Sequence, residues 1–248
     1  MVASKLKVAK QFALCLPGGG QTGAAIFGGG PFVLQSSRPV DLAQELRQGS
    51  LPLLKNPKNG AYYFRVHGIA VNQQLVPIAP GALDLNTRTG SGGVAFSTVT
   101  PFTSLRADIF GAVISAFDKA TSGIPRREAT YPFMMCYEAS AFGSTLVGPG
   151  VANIDLMLDN GKNWTLPGAS SLVQVDEHTL CFAFHSMNSE VGIPNSKAIP
   201  ESPAIIIGAY QMENNLVQFD LEKSTFGVSG LLFGRRTTCG NFNFNTGS

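Results

Sequence analysis

The sequence predicts a mainly β protein with one or two short helices, on three observations. Hydrophobic residues make up 44% of the 248 residues and charged residues only 14%, well below the roughly 25% of typical soluble domains. The chain holds 28 Gly and 15 Pro, which favours many short segments joined by turns. Short apolar runs, several of them alternating with polar residues, recur along the whole chain.

The first half of the chain predicts strands that end at turn residues. Residues 62–71 alternate and are rich in aromatic and β-branched side chains, as half-buried strands are. A short helix is predicted over residues 41–46, with Asp41 as its cap and Gly49 behind it as a stop. The other predicted strands of this half are 11–16, 24–32, which includes a turn, and 75–78.

The longest predicted helix covers residues 105–120. Ile109, Val113 and Phe117 repeat at four-residue spacing and mark its buried face. Residues 185–203 are polar and contain prolines, which predicts an exposed loop. Strands are predicted in the second half at 133–137, 154–158, 172–175, 180–184, 204–208, 216–221 and 225–228.

Composition and spacing argue against several classes of function. The formal net charge is only +2 and no basic stripe contains aromatic residues, so no nucleic-acid partner is expected. The four cysteines form no Cys-x-x-Cys motif and the three histidines lack metal-ligand spacing, so neither a metal nor a cofactor is expected. No apolar run has transmembrane length, so no membrane partner is expected, and residues 1–7 lack the apolar core of a signal peptide.

Residues 93–100 resemble the active-site loop of the pepsin-like aspartic proteases. That loop has two apolar residues, then Asp, then Ser or Thr, Gly, and again Ser or Thr. Here the apolar pair is kept, Ser97 stands at the Asp position, and Val99 replaces the Gly. Thr98 and Thr100 keep the hydroxyl groups. A serine cannot share a proton with a second carboxylate, so the resemblance implies a pseudo-aspartic protease that is not an enzyme.

Ser97 could also be considered as a nucleophile. That role needs a neighbouring base and an oxyanion hole, and no Gly-x-Ser-x-Gly elbow surrounds this serine. The histidines lie on unrelated predicted strands and loops. A structural role is therefore expected, in which the small hydroxyl forms hydrogen bonds across the loop.

Six separated blocks of the chain, residues 12–17, 27–32, 97–102, 205–221, 225–229 and 235–244, resemble one plant family. This apoplastic group includes the TAXI-type xylanase inhibitors, the xyloglucan endoglucanase inhibitors, the extracellular dermal glycoproteins and the basic 7S seed globulins. The resemblance implies a pepsin-like acid-protease β-barrel lobe, the C-terminal lobe of that fold.

The resemblance also implies a domain division. Full-length members carry an N-terminal lobe before the strand that matches residues 11–16, and no Asp-Thr-Gly occurs in this chain. Residues 1–10 are therefore expected to be a connector from a missing N-terminal lobe, and residues 11–248 the C-terminal domain. The family is extracellular, so the apoplast is the expected location of a full-length member.

As a function, the resemblance implies inhibition of a microbial glycoside hydrolase, a xylanase or an endoglucanase, by loop side chains that enter its cleft. Counting back from Cys239 places one such contact at Arg235, with Arg236 as the alternative by one residue. Some endoglucanase-inhibiting members have a second arginine in the loop after a tryptophan. Thr165 stands at that position, which argues against the endoglucanase type and leaves the xylanase type or no inhibition at all.

Two covalent features are also expected. The family pattern implies disulfides between Cys15 and Cys239 and between Cys136 and Cys181, the alternative being four thiols in a reducing compartment. Asn163 begins an Asn-Trp-Thr sequon, which can be glycosylated if the chain enters the secretory pathway.

Two further functions remain open at this stage. One is a basic 7S type of seed or cell-wall globulin with storage or peptide-binding duties and no inhibitory activity. The other is an active aspartic endopeptidase, against which Ser97 argues because that chemistry needs a carboxylate at this position.

Overall fold

The computed structural model of the chain describes residues 5–36, 39–187 and 202–242. It divides into two compact units. The terminal unit combines Met1–Leu53 with Met212–Ser248, so it is built from both ends of the chain. The central unit is Leu54–Gln211.

The secondary structure of the described residues is dominated by short strands. The strands are β1 (Gln11–Cys15), β2 (Ala24–Phe27), β3 (Val33–Leu34), β4 (Val40–Asp41), β5 (Leu51–Pro52), β6 (Leu54–Lys55), β7 (Tyr62–Phe64), β8 (Val66–Val71), β9 (Gln74–Leu75), β10 (Val94–Phe96), β11 (Thr103–Leu105), β12 (Arg126–Arg127), β13 (Cys136–Glu138), β14 (Ser144–Thr145), β15 (Gly148–Pro149), β16 (Ile154–Leu158), β17 (Asn163–Leu166), β18 (Leu172–Asp176), β19 (Thr179–Phe182), β20 (Phe184–Ser186), β21 (Ile205–Ile207), β22 (Asn215–Asp220) and β23 (Thr225–Leu231). The helices are α1 (Ala43–Gln48), α2 (Ala107–Ala120), α3 (Gly168–Ser171) and α4 (Ala209–Met212), with 3₁₀ turns at Ala139–Ala141, Leu232–Arg235 and Cys239–Asn241.

The terminal unit is an antiparallel five-stranded sheet in the order β2-β1-β22-β23-β5. Its centre joins the two ends of the chain, since Gln11 pairs with Asp220 and Cys15 with Leu216. Helix α1 lies so close to β23 that a Cβ on Gly227 would meet the Leu46 carbonyl oxygen at 2.6 Å. Glycine at that position therefore permits the helix to pack on the sheet.

Phenylalanines stand opposite one another across four strands of this sheet. Phe27 pairs with Phe12, Phe12 with Phe219, and Phe219 with Phe226. The ring centroids of successive pairs are 6.5, 4.8 and 6.5 Å apart. Such directly opposed aromatic pairs stabilise a sheet and fix its register.

The core of the terminal unit lies around α1. It contains side chains from the first strands, from the helix and from the C-terminal segment, and Cys15 and Cys239 form a disulfide within it. The buried members are Ala13, Cys15, Phe32, Leu34, Leu42, Ala43, Leu46, Leu216, Leu232 and Cys239.

The central unit contains several sheets. One is six-stranded in the order β20-β11-β21-β10-β7-β6, and two are four-stranded, in the orders β17-β16-β8-β9 and β12-β13-β19-β18. Strands β14 and β15 form a small separate pair. The six-stranded sheet is mixed, because β10 runs parallel to β21 and β11 parallel to β20.

Helix α2 is the long helix of the central unit. The predicted face is confirmed, since Ile109, Val113 and Phe117 are buried, together with Phe110. The helix begins at Ala107 rather than at residue 105, because the residues up to Leu105 form β11 and pair with β20 and β21.

The second disulfide joins Cys136 on β13 to Cys181 on β19, directly opposite positions in the register. The half-buried Phe102 packs against the cluster that contains this disulfide, with its ring centroid 5.0 Å from that of Phe133. Both cysteine pairs are those that the family pattern implied.

Other sequence-based boundaries differ from the structure. The strand predicted over 62–71 is interrupted at Arg65, and its two parts, β7 and β8, join different sheets. Residues 133–135 precede β13 rather than belong to it. The loop predicted over 185–203 begins later, because β20 continues to Ser186, and residues 188–201 lie outside the described residues.

The predicted short helix also begins later than expected. Asp41 belongs to β4, and Leu42 is the N-cap residue of α1. Asp41 Oδ1 nevertheless accepts a hydrogen bond from the Ala43 N–H at 2.9 Å, so its carboxylate still satisfies a free amide at the helix start. Helices α3 and α4, each of four residues, were not predicted because a single turn has no period to detect.

Candidate functional site

The serine loop (residues 93–100) lies in the central unit at the end of β10. Strand β10 lies between β7 and β21, so the loop follows an inner strand of the six-stranded sheet rather than an edge strand. The Ser97 N–H continues the parallel pairing, since it donates to the Ile207 carbonyl at 2.9 Å. The backbone at Ser97 is therefore fixed by the sheet.

The hydroxyl of Ser97 accepts two hydrogen bonds from within the loop. The Thr100 N–H lies 3.0 Å from Ser97 Oγ, and the Thr100 hydroxyl oxygen lies 2.9 Å from it. This agrees with the expected structural role of a hydroxyl that bonds across the loop. Thr98 is exposed and makes no corresponding contact, and the neighbouring Val99 is 90% exposed.

The serine loop has no partner for nucleophilic catalysis among the described residues. The Ser97 hydroxyl bonds only with Thr100 there, whereas a nucleophile needs a base within hydrogen-bond reach. His67 lies 2.5 Å from Asp159 instead. The hydrogen bonds between Ser97 and Thr100 order the backbone of the serine loop, and its residues include no acidic or basic side chain.

Thr165 was predicted to lie in a loop, and the structure corrects this. Asn163–Leu166 forms strand β17, with Thr165 directly opposite Asp155 on β16. The Thr165 hydroxyl donates to Asp155 Oδ1 at 2.5 Å. The alternation of Trp164 and Leu166, both buried, produces the strand, but four residues are too few for a clear period.

Trp164 packs in the core of the central unit. Its side chain is 1% exposed, and its ring centroid lies 6.0 Å from that of Phe96.

The arginine turn (residues 232–239) lies in the terminal unit after β23. It begins with the 3₁₀ turn Leu232–Arg235 and ends at Cys239 in its disulfide. Leu232 and Thr237 are buried, and the Thr237 hydroxyl donates to the Gln35 carbonyl at 2.9 Å. The turn is therefore attached to the core on both sides of its two arginines.

Arg235 is paired with Glu45 of helix α1. Its Nη2 atom lies 2.7 and 2.6 Å from the two carboxylate oxygens of Glu45, and both side chains are partly exposed. The sequence did not indicate this pairing, because the two residues are 190 positions apart. Glu45 is thus a residue of the site that the sequence reasoning missed.

Arg236 differs from Arg235 in both backbone and side chain. It has φ 54°, in the left-handed region, where its N–H donates to the Phe233 carbonyl at 2.9 Å. Its side chain is exposed and forms no ion pair or hydrogen bond with any described residue. The turn therefore holds one guanidinium against the protein and leaves the next one open to solvent.

A carboxyl near this turn has a shifted pKa. Burial raises the pKa of Glu213, which is half-buried beside Gly18 in the terminal unit. The next residue, Asn214, accepts a hydrogen bond from the Cys239 N–H through its side-chain oxygen at 3.1 Å. The end of the arginine turn is thus held by a side chain adjacent to Glu213.

The family model of the xylanase inhibitor C-terminal domain matches residues 61–230, more than half of the chain. The chain belongs to this xylanase inhibitor C-terminal family. It is 46% identical to Chitinase CLP of Oryza sativa subsp. japonica over 98% of this chain and 55% of that protein. It is 34% identical to Gamma conglutin 1 of Prunus dulcis over all of this chain and 53% of that one.

A solved structure supports the same assignment of the fold. The crystal structure of edgp superposes with a TM-score of 0.85 and 34% identity, covering 98% of this chain and 59% of that one. The predicted fold, a mainly β protein of pepsin-like type, is confirmed for this member of the xylanase inhibitor C-terminal family. The chain spans about half the length of the curated relatives it matches.

The described residues contain neither a membrane-spanning helix nor a metal-binding cluster. No helix in the described ranges combines the length and the apolar character that a membrane crossing requires. Within the same ranges, no three His, Cys, Asp or Glu side chains are grouped so that they could hold a metal ion.

Proposed function

We propose that this chain inhibits a microbial cell-wall glycoside hydrolase, a xylanase in the first instance, by inserting a cationic side chain into the catalytic cleft. Membership of the xylanase inhibitor C-terminal family supports the class of partner. The observation that carries the proposal is the arginine turn, where an exposed guanidinium follows one that is held by Glu45.

The chemistry of the target suits a guanidinium. A retaining hydrolase has two catalytic carboxyl groups only about 5 Å apart. Arginine presents five N–H donors in a planar fork and stays charged, so it can bond both groups at once. Because the arginine turn is already fixed by Leu232, Thr237 and Cys239, little backbone entropy is lost on binding.

The two arginines take different parts in this proposal. Arg236 contacts the target, since its side chain is exposed and has no partner within the described part of the chain. Arg235 with Glu45 holds the turn in place, although both arginines were candidates for the contact from the sequence. Thr165 takes no part, because its hydroxyl is donated to Asp155 within a sheet. This supports the xylanase type over the endoglucanase type.

The chain is proposed to be non-catalytic. Ser97 stands where the pepsin-like loop has its aspartate, and its hydroxyl is engaged by Thr100. A water-activating dyad needs a carboxylate at this position.

Secretion to the apoplast is the proposed location. Disulfides persist in oxidising compartments, and the described residues contain Cys15–Cys239 and Cys136–Cys181. In that location the chain would meet hydrolases secreted by microbes.

Two other functions compete. The 46% identical rice relative is named a chitinase, so hydrolysis of chitin is the enzyme alternative. Glycoside hydrolysis needs a pair of carboxyl groups, and the serine loop provides none. The other alternative is a basic 7S type of storage or peptide-binding globulin, which would neither inhibit nor hydrolyse.

The test is an inhibition titration against purified microbial xylanases with four proteins: wild type, Arg236→Ala, Arg236→Lys and Arg235→Ala. Loss of a charge-assisted contact costs about 1.5–3 kcal/mol, so Arg236→Ala should weaken inhibition by roughly 10- to 150-fold. Arg236→Lys should recover part of the loss because it keeps the charge and loses the fork. Arg235→Ala should weaken inhibition less.

The same titration separates the alternatives. If Arg236→Ala inhibits as strongly as wild type, the insertion of this arginine is wrong. Release of sugar from chitin by the wild-type chain would establish the enzyme alternative, and pepstatin-sensitive proteolysis would establish an active protease. A chain that neither inhibits nor hydrolyses supports the storage globulin.

A further inference from the structure

A row of residues crosses three strands of the central unit at one edge of a sheet. Asn163 on the edge strand β17 stands directly opposite Met157 on β16, and Met157 stands directly opposite Gly68 on β8. Residues opposite each other in an antiparallel sheet project from the same face, with Cβ atoms about 5 Å apart. The three positions therefore share one face.

Two apolar side chains meet above the glycine of this row. A Cβ on Gly68 would lie 3.1 Å from Leu75 Cδ1 and 3.3 Å from Met157 Sδ, so both side chains cover the glycine backbone. Leu75 is nevertheless 68% exposed and Met157 36% exposed. We name this surface, formed by Met157, Gly68 and Leu75, the apolar shelf.

Asn163 lies at the edge of the apolar shelf, on the strand next to Met157. The residue is exposed, and its amide forms no hydrogen bond with any described residue. Trp164 projects to the opposite face and is buried, while Thr165 returns to the face of Asn163 and bonds to Asp155. The sequon therefore lies in an extended strand, and the Asn163 side chain projects from the sheet face that carries the apolar shelf.

We propose that Asn163 carries an N-linked glycan whose first two N-acetylglucosamine rings lie along the apolar shelf. The C–H faces of these rings and their acetyl methyl groups are apolar, and their hydroxyl groups lie at the rim and stay hydrated. The distance from β17 to β8 is two strand spacings, about 10 Å, which suits two linked rings. The shelf is thus covered by a modification of the chain itself, independently of the proposed inhibition.

The test expresses the full chain through the secretory pathway of a eukaryotic host and measures occupancy of Asn163 by peptide mass spectrometry. The four proteins are wild type, Asn163→Gln, Thr165→Ala and Thr165→Ser. The Ser variant keeps both the sequon and a hydroxyl for Asp155, whereas the other two remove the sequon in different ways. Occupancy is expected in wild type and in Thr165→Ser only.

Coverage of the shelf is measured by oxidation with dilute peroxide, which converts accessible methionines to sulfoxides. Met134 is 61% exposed and serves as an internal reference in the same central unit. Relative to Met134, Met157 should oxidise several-fold more slowly in the glycosylated wild type than in Asn163→Gln. Trimming the glycan to one sugar should preserve most of this protection, because that sugar lies opposite Met157.

Either of two results overturns the proposal. An unoccupied Asn163 in the secreted wild type excludes the modification. An occupied site with the same Met157-to-Met134 oxidation ratio as Asn163→Gln excludes the shelf. If, in the second case, Met157 is equally and strongly protected in wild type and Asn163→Gln, and both proteins are dimers by size-exclusion chromatography, the shelf is assigned to a second copy of the chain instead.

Discussion

The serine loop and the arginine turn use their polar groups in opposite ways. In the serine loop, the Ser97 hydroxyl is held by Thr100 within the same four residues. In the arginine turn, Arg235 is neutralised by Glu45, and Arg236 has no partner among the described residues. The polar side chains Ser97 and Thr100 of the serine loop bond to each other, which suits a structural role. An exposed charge on a fixed turn suits recognition of an acidic partner.

The largest expected effect comes from the disulfide that holds the arginine turn. Replacing Cys15 and Cys239 by Ser opens a link between residues 224 positions apart, which the loop-entropy model values at about 5 kcal/mol. Urea denaturation should show this loss of stability. The folded fraction should also inhibit more weakly than wild type, because the turn is no longer fixed.

The double Cys136→Ser, Cys181→Ser variant is the control for that change. Its link spans 45 positions, so the expected loss is about 4 kcal/mol, and it lies outside the terminal unit. Its folded fraction should inhibit like wild type. If both pairs of substitutions weaken inhibition equally, the special role of the arginine turn is contradicted.

A smaller effect is expected in the serine loop. Ser97→Ala removes the acceptor for two Thr100 donors in a half-buried setting, which should lower the free energy of unfolding by about 1–3 kcal/mol. Thr98→Ala, one residue away and exposed, should change it by no more than about 0.5 kcal/mol. Inhibition should be unchanged in both variants. A weaker inhibitor with normal stability would show that the serine loop also contacts the target.

The pairing of Arg235 with Glu45 can be measured by a double-mutant cycle. Exposed ion pairs contribute about 0.2–1 kcal/mol, and a contact with both carboxylate oxygens should lie in the upper part of that range. The cycle compares Arg235→Ala, Glu45→Gln and the double variant by chemical denaturation. A coupling of zero would mean that Arg235 is as free as Arg236, and the contrast between the two arginines would be lost.

The smallest effect concerns pH. Because burial raises the pKa of Glu213 above its ordinary 4.5, the protonated carboxyl is favoured in the folded state. Its contribution to stability is therefore complete below pH 4.5 and is lost as pH rises through the raised pKa. Thermal unfolding from pH 4 to pH 8 should show that Glu213→Gln lacks this decline and is more stable than wild type at neutral pH.

The exposed Glu177→Gln variant is the control for the pH series. It should follow the wild-type stability curve at every pH. Parallel curves for wild type and Glu213→Gln would mean that Glu213 is fully hydrated in the folded protein.

The sequence predicted the elements that have strong local patterns. The helix face of Ile109, Val113 and Phe117 repeats with the helical period and is buried as expected. The strand at Ile154–Leu158 was predicted with its observed bounds, since four of its five residues are apolar and polar residues follow it. By contrast, residues 62–71 look like one strand, and only the assembly of two sheets explains the break at Arg65.

The family resemblance supplied the candidate site residues. In the structure Ser97 bonds to Thr100 and Arg235 pairs with Glu45, whereas Thr165, predicted to lie in a loop, belongs to strand β17. Glu45 could not be found, because no local pattern relates a helix residue to an arginine 190 positions away.

The sequence by itself determined the fold class, the family and the identities of the polar groups, because these depend on composition, period and motif. The tertiary structure decided which of those groups are satisfied. Hydrogen bonds and ion pairs form between side chains that folding brings within about 3 Å, whatever their separation along the chain. Arg235 and Arg236 are adjacent and chemically identical, yet Arg235 pairs with Glu45, whereas Arg236, with its left-handed backbone, has no side-chain partner among the described residues.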